Sequence, residues 1–371
     1  MTAMSKSNDF VNKYEDIIDL SLGDFDFKTP EPIIIAAMED AMAGHTHYTD
    51  FYGYVELREE ICKFYKEEYG VEVDIGEVMI TTSGCHGMWL VLESILDDGD
   101  EVIIHETYFT PYPHQIILTR GKPVYLPTYE EEGFEVNSKR LEELITKKTK
   151  AIIINTPNNP TGTCFRRKTM EEILEIAIKH DLLIIADDVY TTFSFDEPFI
   201  PMISLEGSGE RTITINSFSK NYAMTGWRIG NVIAPKNIIE VMKNVNENSV
   251  FTAPSISQRA ALYALKLHHK VNPPIVNEIK KRMYYAYERI CKIPNISCLK
   301  PRGSMYLFVN IKRTGYNSAE ICNKLLKEVQ ILALPGDGFG SAGEGYIRLA
   351  MSVDLSRLKE AFDRIEKMEI F

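Results

Sequence analysis

The stretch Leu182-Leu183-Ile184-Ile185-Ala186-Asp187-Asp188-Val189-Tyr190 decides the fold. Its five opening residues are apolar without alternation and too few for a helix, which is the pattern of a strand buried on both faces. Such strands belong to parallel sheets covered by helices on each side. Working outward, residues 78–82, 101–105, 123–126, 151–155, 212–216 and 231–234 are six more short apolar runs bounded by charges or turn residues. Amphipathic helical patterns lie between them, at 86–96, 138–146 and 169–180. Strands alternating with helices predict an α/β body with a mostly parallel, seven-stranded sheet.

The periodicity changes near Val271. A charged, Tyr-rich helix is expected over 274–290, then short strands at 297–300, 305–310 and 346–350. This describes a smaller α+β body. The first 45 residues hold an extended start and a helix at 32–43, and on pattern alone could join either body. A length of 371 residues suits about two domains of ~100–200 residues each.

Forty-one Lys and Arg against 53 Asp and Glu give a net charge of −12. No basic excess is present to neutralise phosphates, so neither a nucleic acid nor a membrane surface is the expected partner. The six cysteines form no CxxC pair, which argues against structural zinc and for reduced thiols in a cytoplasmic protein. The N-terminus lacks a basic head and an apolar stretch, so no secretory signal is expected.

Ligands of open α/β sheets sit beyond the carboxyl ends of the strands. After Thr82 comes Ser83-Gly84-Cys85-His86-Gly87, leading into a helix, which is either an anion cup or a tight strand–helix turn. After Asn155 comes Thr156-Pro157-Asn158-Asn159-Pro160-Thr161-Gly162, which is either a pair of rigid amide donors or an ordinary Asn-Pro turn. Asp187 at a central strand end is costly unless it meets a cation, although an N-cap or solvated role for Asp188 competes. The run ending at Asn216 continues as Ser217-Phe218-Ser219-Lys220, with Gly226-Trp227-Arg228-Ile229-Gly230 beyond. A lysine at a strand mouth, between small hydroxyls and near an arginine, suits a Schiff-base nucleophile. An anion cup, a rigid amide, a buried carboxylate with a tyrosine and a Lys–Arg segment together fit a phosphorylated aromatic aldehyde with a basic ring nitrogen, pyridoxal 5′-phosphate.

These landmarks, from Leu20-Ser21-Leu22-Gly23 to Tyr346-Ile347-Arg348-Leu349, resemble the class I/II aminotransferases, fold type I pyridoxal-phosphate enzymes akin to aspartate aminotransferase. The resemblance implies a large cofactor domain over 46–270 and a small domain from 1–45 and 271–371. It implies that Lys220 forms the Schiff base, that Asp187 partners the ring nitrogen, and that Tyr190 and Asn159 serve the ring oxygen. Arg228, Ser217 and Ser219, with the segment Gly84, Cys85 and His86, would hold the phosphate. His86 could contribute its backbone alone or touch phosphate or substrate with its side chain. Phe109 would stack on the ring, with Tyr108 as its alternative and a core aromatic as the plain reading. Gly23, Asn159 and Arg348 would meet the substrate, Arg348 gripping its α-carboxylate with a bidentate fork. Tyr48 would reach the phosphate of a neighbouring subunit in a homodimer. The family usually carries Pro near Phe25, and small or Gln-like residues where Cys85 and His86 stand.

The expected reaction moves an amino group from an α-amino acid to a 2-oxo acid. A carbon–sulfur lyase, or another eliminating or cyclising enzyme, shares the cofactor and is the alternative. A regulatory effector sensor on this fold is a more distant one. Gly338-Phe339-Gly340-Ser341-Ala342-Gly343 spells GxGxxG, but a strand rather than a helix is expected after it, so a dinucleotide fingerprint is rejected. No arginine lies in 246–252, and Phe25, Phe51 and Tyr52 could line an apolar side-chain pocket, which disfavours a strictly dicarboxylic substrate.

Overall fold

A computed structural model describes residues 14–371. The N-terminal stretch read above for a secretory signal lies outside the described residues. Twelve strands occur among them: β1 (Ile18–Asp19), β2 (Val78–Thr81), β3 (Glu101–His105), β4 (Lys122–Leu126), β5 (Thr149–Asn155), β6 (Leu183–Asp187), β7 (Thr212–Ser217), β8 (Gly230–Ile233), β9 (Tyr306–Asn310), β10 (Ile331–Leu332), β11 (Leu334–Pro335) and β12 (Tyr346–Ala350).

Seven of these form one sheet in the order β2-β8-β7-β6-β5-β3-β4. Its strands are parallel except β8, which runs against both β7 and β2. The uninterrupted Ile-rich runs are accounted for, since all of β2, β3 and β8 and four of the five residues of β6 are buried. One face packs Met88, Leu92 and Ile116 against Ile104, Ile153 and Ile215, and the other packs Leu174 and Met202 against Ile152 and Ile184. Register pairs Asn155 with Asp187 and Asp187 with Ile215, so the polar strand ends lie level at one edge.

The smaller body holds an antiparallel sheet, β11-β12-β9, and the parallel pair β1-β10. Here Ile18, Met283, Ile290, Leu349 and Phe362 share a core. Helix Glu31–Met42 departs from the expected grouping of 1–45 with this body. Its buried positions Ile33 and Ala37, one turn apart, pack with Leu57, Ile61 and Leu262 of the cofactor domain. The long helix is His268–Ile290, starting before and running through Pro273 and Pro274, which the sequence pattern takes as its beginning. It straddles the two bodies, giving Val271 to one core and Ile275 to Ile290 to the other.

One more expectation changes and another holds. Residues 297–300 form no strand but meet β9 at a single bridge, Ser297 to Asn310, and Pro301 brings no N–H to extend the pairing. The glycine-rich loop after β11 forms two short turns, Gly336–Phe339 and Ser341–Gly343, and leads into β12, so the dinucleotide context is absent as expected. Among the described residues no helix is long and apolar enough to cross a membrane.

Candidate active site

The carboxyl ends of β5, β6 and β7 open onto a cavity of about 440 Å³. Lys220, Asp187, Tyr190, Gly84, Cys85, Phe109, Asn159, Ser217, Ser219, Arg228, Gly23 and Arg348 all line it. These residues come from segments more than 300 positions apart: most follow strands of the large sheet, and Arg348 is brought in on β12 of the small one.

Asp187 is the last residue of β6 and is buried. Its Oδ2 accepts a hydrogen bond from the Tyr112 hydroxyl, and its Oδ1 is buried with no side-chain partner among the described residues. Burial pushes this carboxyl up to about 6, and the Tyr112 bond opposes the rise. Asp188 beside it is also buried, and burial followed by the neighbouring Asp187 holds its carboxyl well above the usual range. Asp188 therefore does not take the solvated role that competed for it. Asn155 donates to the Asp187 carbonyl at 2.9 Å and accepts from the Asn159 N–H at 2.9 Å, tying two strand-end loops together.

Lys220 sits in the one-turn helix Phe218–Asn221 after β7, and its Nζ donates to the Gly23 carbonyl. Ser217 caps that turn, accepting from the Ser219 N–H at 3.1 Å and meeting the Ser219 hydroxyl at 2.9 Å. Arg228 is exposed at the cavity rim in the left-handed region, φ +53°, with Nη1 donating to the Thr225 carbonyl at 2.8 Å. Gly230 explains the close fit of this corner. A Cβ there would lie 2.7 Å from the Asn216 carbonyl oxygen and 2.8 Å from the Gly84 nitrogen, so only glycine lets β8 approach the cup.

At the opposite end, Arg348 is buried on β12 with its guanidinium 4.3 Å from the Tyr306 ring centre and 4.9 Å from that of Phe339. Nη1 donates to Asn159 Oδ1 at 2.9 Å, Nη2 to the Ser21 carbonyl, and Nε is buried without a partner. Tyr190 and Tyr306 hydroxyls meet at 3.2 Å.

Two of the readings fall elsewhere, those of His86 and Tyr108, while Tyr48 is expected at a neighbouring subunit rather than here. The His86 ring turns back to Thr82 Oγ1 at 2.8 Å, stacks on Trp89, and is held near about 4 by burial. Its N–H is taken by Ser83 Oγ at 3.1 Å, so neither ring nor backbone of His86 is brought to the cavity. Tyr48 stands 82% exposed, edge-on to Phe251, outside the cavity. Tyr108 stacks on Tyr125 rather than lining the site, so of the two candidates for the ring it is Phe109 that lines the cavity.

Tyr112, Asn155 and Tyr306 were not singled out by sequence. Tyr112 stands three residues after Phe109, a spacing that a helical turn aligns, and Asn155 is a polar strand end like Asp187. Tyr306 carries no local signal, since it reaches the cavity by tertiary packing of β9.

These residues fit a phosphorylated pyridine aldehyde. A buried carboxylate oxygen without a partner suits a cationic ring nitrogen, an amine lies on the same cavity, and Arg228 with small hydroxyls lies beside Gly84 and Cys85.

Comparison with known proteins agrees. Residues 15–365 match the family model described as aminotransferase class I and II. The chain is 38% identical to the aromatic-amino-acid aminotransferase 2 of Thermococcus litoralis, over 97% of this chain and 93% of that one. It is 39% identical to an aspartate aminotransferase of Pyrococcus abyssi, over 99% and 98% of the two chains. The crystal structure of an aromatic aminotransferase from Pyrococcus horikoshii superposes with a TM-score of 0.93 at 38% identity, covering 97% of each chain. The relatives named here are aminotransferases, which gives the lyase alternative no support. The chain therefore belongs to the class I and II aminotransferases of fold type I and is a pyridoxal-phosphate-dependent enzyme that moves amino groups between amino acids and 2-oxo acids.

Proposed function

We propose that this aminotransferase favours amino donors with large apolar or aromatic side chains, using Lys220 as nucleophile and proton carrier and Arg348 as the α-carboxylate grip. The observation that carries the preference is the apolar lining of the cavity that holds Arg348 and Lys220. Leu22, Met88, Phe109, Leu334 and Phe339 supply apolar surface there, and the lining cations are Lys220, Arg228 and Arg348. Each of those has a use already: amine, phosphate and α-carboxylate. A second substrate carboxylate would find no further cation in the lining among the described residues, whereas an apolar side chain gains roughly 25 cal/mol per Å² buried. The name of the Thermococcus litoralis relative points the same way, although that of the Pyrococcus abyssi relative names aspartate.

The cofactor supplies an electron sink for the carbanion formed on loss of the Cα proton. The chain's residues do the rest. Arg348 fixes the carboxylate, with Asn159 and Ser21 holding the guanidinium in place. With the carboxylate so held, Lys220 Nζ would be the amine on the cavity that takes the Cα proton. Asp187 holds negative charge at the ring-nitrogen end, and Phe109 is suited to cover the ring. A panel of amino donors, scored by 2-oxo acid formed with a fixed acceptor, should give phenylalanine or tyrosine a kcat/KM about tenfold or more above aspartate. Equal or better turnover of aspartate would overturn the preference.

Tyr112 belongs to the same proposal as the group that steadies the Asp187 carboxylate. Tyr112→Phe should lower kcat/KM by about tenfold and shift the acid limb of the pH profile upward, because the bond that favours the charged carboxylate is gone. An unchanged acid limb would remove Tyr112 from this role.

We also infer a cytoplasmic homodimer. All six cysteines are free, as a reducing compartment favours. Tyr48, large, apolar and 82% exposed beside Phe251 at 41%, is suited to contact a neighbouring subunit's phosphate site. Sedimentation of the wild type as a monomer would exclude this reading.

A further inference from the structure

Glu106 follows β3 at the rim of the cofactor domain and is 4% exposed. Its backbone is fastened on both sides. Its N–H donates to the Leu126 carbonyl at 2.7 Å, and its own carbonyl accepts from Thr128 Oγ1. The carboxylate reaches out of this domain to the glycine-rich loop of the small body. Oε1 accepts from the Ser341 N–H at 2.9 Å, and the Ser341 hydroxyl lies 3.2 Å from Oε2 and 3.4 Å from Oε1. Two residues on, the Tyr108 N–H donates to the Phe339 carbonyl at 2.9 Å. The approach is so close that a Cβ at Gly340, φ +117°, would lie 2.7 Å from Glu106 Oε1. Only glycine fits between the carboxylate and the loop.

The loop's cargo is Phe339. It is buried, lines the cavity, and lies with its ring 4.9 Å from the Arg348 guanidinium, which also lies 4.3 Å from the Tyr306 ring. A cation near two rings is attracted to both, and that attraction falls off once a ring moves beyond about 6 Å. The loop's other backbone bonds here, Gly340 N–H to Asp337 and Gly343 N–H to Gly340, are internal. A buried charged acceptor on rigid backbone is the stronger kind of tie, since hydrogen bonds to charged groups exceed neutral ones by roughly twofold.

We propose that Glu106 is a positioning residue for substrate binding: its carboxylate pins loop 338–343 to the cofactor domain and thereby holds Phe339 against Arg348. This rests on the reading of Arg348 as the carboxylate grip. Glu106 itself touches neither substrate nor cofactor.

The test uses the cofactor-loaded enzyme and the variants Glu106→Ala, Glu106→Gln, Phe339→Leu and the double Glu106→Ala/Phe339→Leu. Glu106→Ala should raise KM for the amino donor about tenfold with kcat within about threefold of the parent. The cofactor's absorbance and affinity should stay unchanged. Glu106→Gln, which keeps an acceptor oxygen, should return KM to within about threefold of the parent. Phe339→Leu should raise KM about as much, and the double variant should add nothing to it, since both act through one contact. In Glu106→Ala, amide exchange of the peptide covering 338–343 should also quicken about tenfold.

A Glu106→Ala KM within about twofold of the parent, additive effects in the double variant, or loss of cofactor affinity alongside KM would each overturn the proposal. Arg348→Lys is run in parallel. If it leaves KM unchanged, the grip and the latch fall together. If it raises KM while Glu106→Ala does not, the latch alone falls. Should Glu106→Ala fail to fold, Glu106→Asp, which draws the carboxylate back from the Ser341 N–H, decides with the exchange measurement by the same criteria.

Discussion

Lys220→Ala should lose turnover by about 10⁴-fold or more while still binding the cofactor. Nζ is the amine on the cavity that can bond the aldehyde and then serve the substrate proton, so its removal strikes two steps at once. Binding should survive because the phosphate end is built from other groups. Gly84, Cys85, Ser217, Ser219 and Arg228 line it, and Asp187 keeps its unpartnered oxygen at the far end. The variant should therefore take up cofactor with a spectrum of the free aldehyde rather than of a lysine-linked one. Absorbance titration checks the first claim and single-turnover 2-oxo acid formation the second. Activity within tenfold of the parent would remove Lys220 from the chemistry. Loss of cofactor binding altogether would show that the lysine's bond to Gly23, rather than its amine, organises the site.

The contrast between this residue and Tyr306 shows what the sequence carried. Lys220, Asp187, Asn159 and Cys85 each stand directly after a buried run, and the rule that ligands meet the carboxyl edge of a parallel sheet turns each into a position in space. Register then does what the pattern implies, aligning Asn155 with Asp187. Tyr306 and Phe339 arrive by a different route. They depend on how the small body seats against the large one, a non-local packing outcome that no window of sequence encodes. The grouping of residues 31–42 was illegible for the same reason. An amphipathic helix reveals which face it buries, but not which of two cores receives it, and Ile33 and Ala37 went to the larger. His86 shows the converse. Its place after Gly84 suggests the cup, yet local geometry consumes it, because Ser83 takes its N–H and Thr82 meets its ring.

Asp187→Asn should cost about 10³-fold in kcat, and its pH behaviour should separate electrostatics from packing. The asparagine keeps the shape and the contact with Tyr112 but cannot carry charge, so it cannot hold a proton on the ring nitrogen of the bound cofactor. In the cofactor-free protein the sign of the effect reverses. There the carboxyl has no cation, and burial lifts it to about 6 from an ordinary value near about 4. A native state that binds its proton more tightly than the unfolded chain loses stability as pH rises between those values. The penalty is absent below about 4 and complete above about 6, and a gap of about two units corresponds to roughly 3 kcal/mol. Cofactor-free Asp187→Asn should therefore be more stable than cofactor-free parent at pH 7, and the advantage should vanish on acidification to pH about 4. With cofactor bound the order should invert, because the parent's carboxylate then faces a cation and the amide does not. Denaturant melts of both proteins, with and without cofactor across that pH range, measure all four corners. A parent whose cofactor-free stability is flat over the window would show that Asp187 is charged or neutral for another reason. A variant that retains turnover within tenfold would show that the ring nitrogen needs no carboxylate.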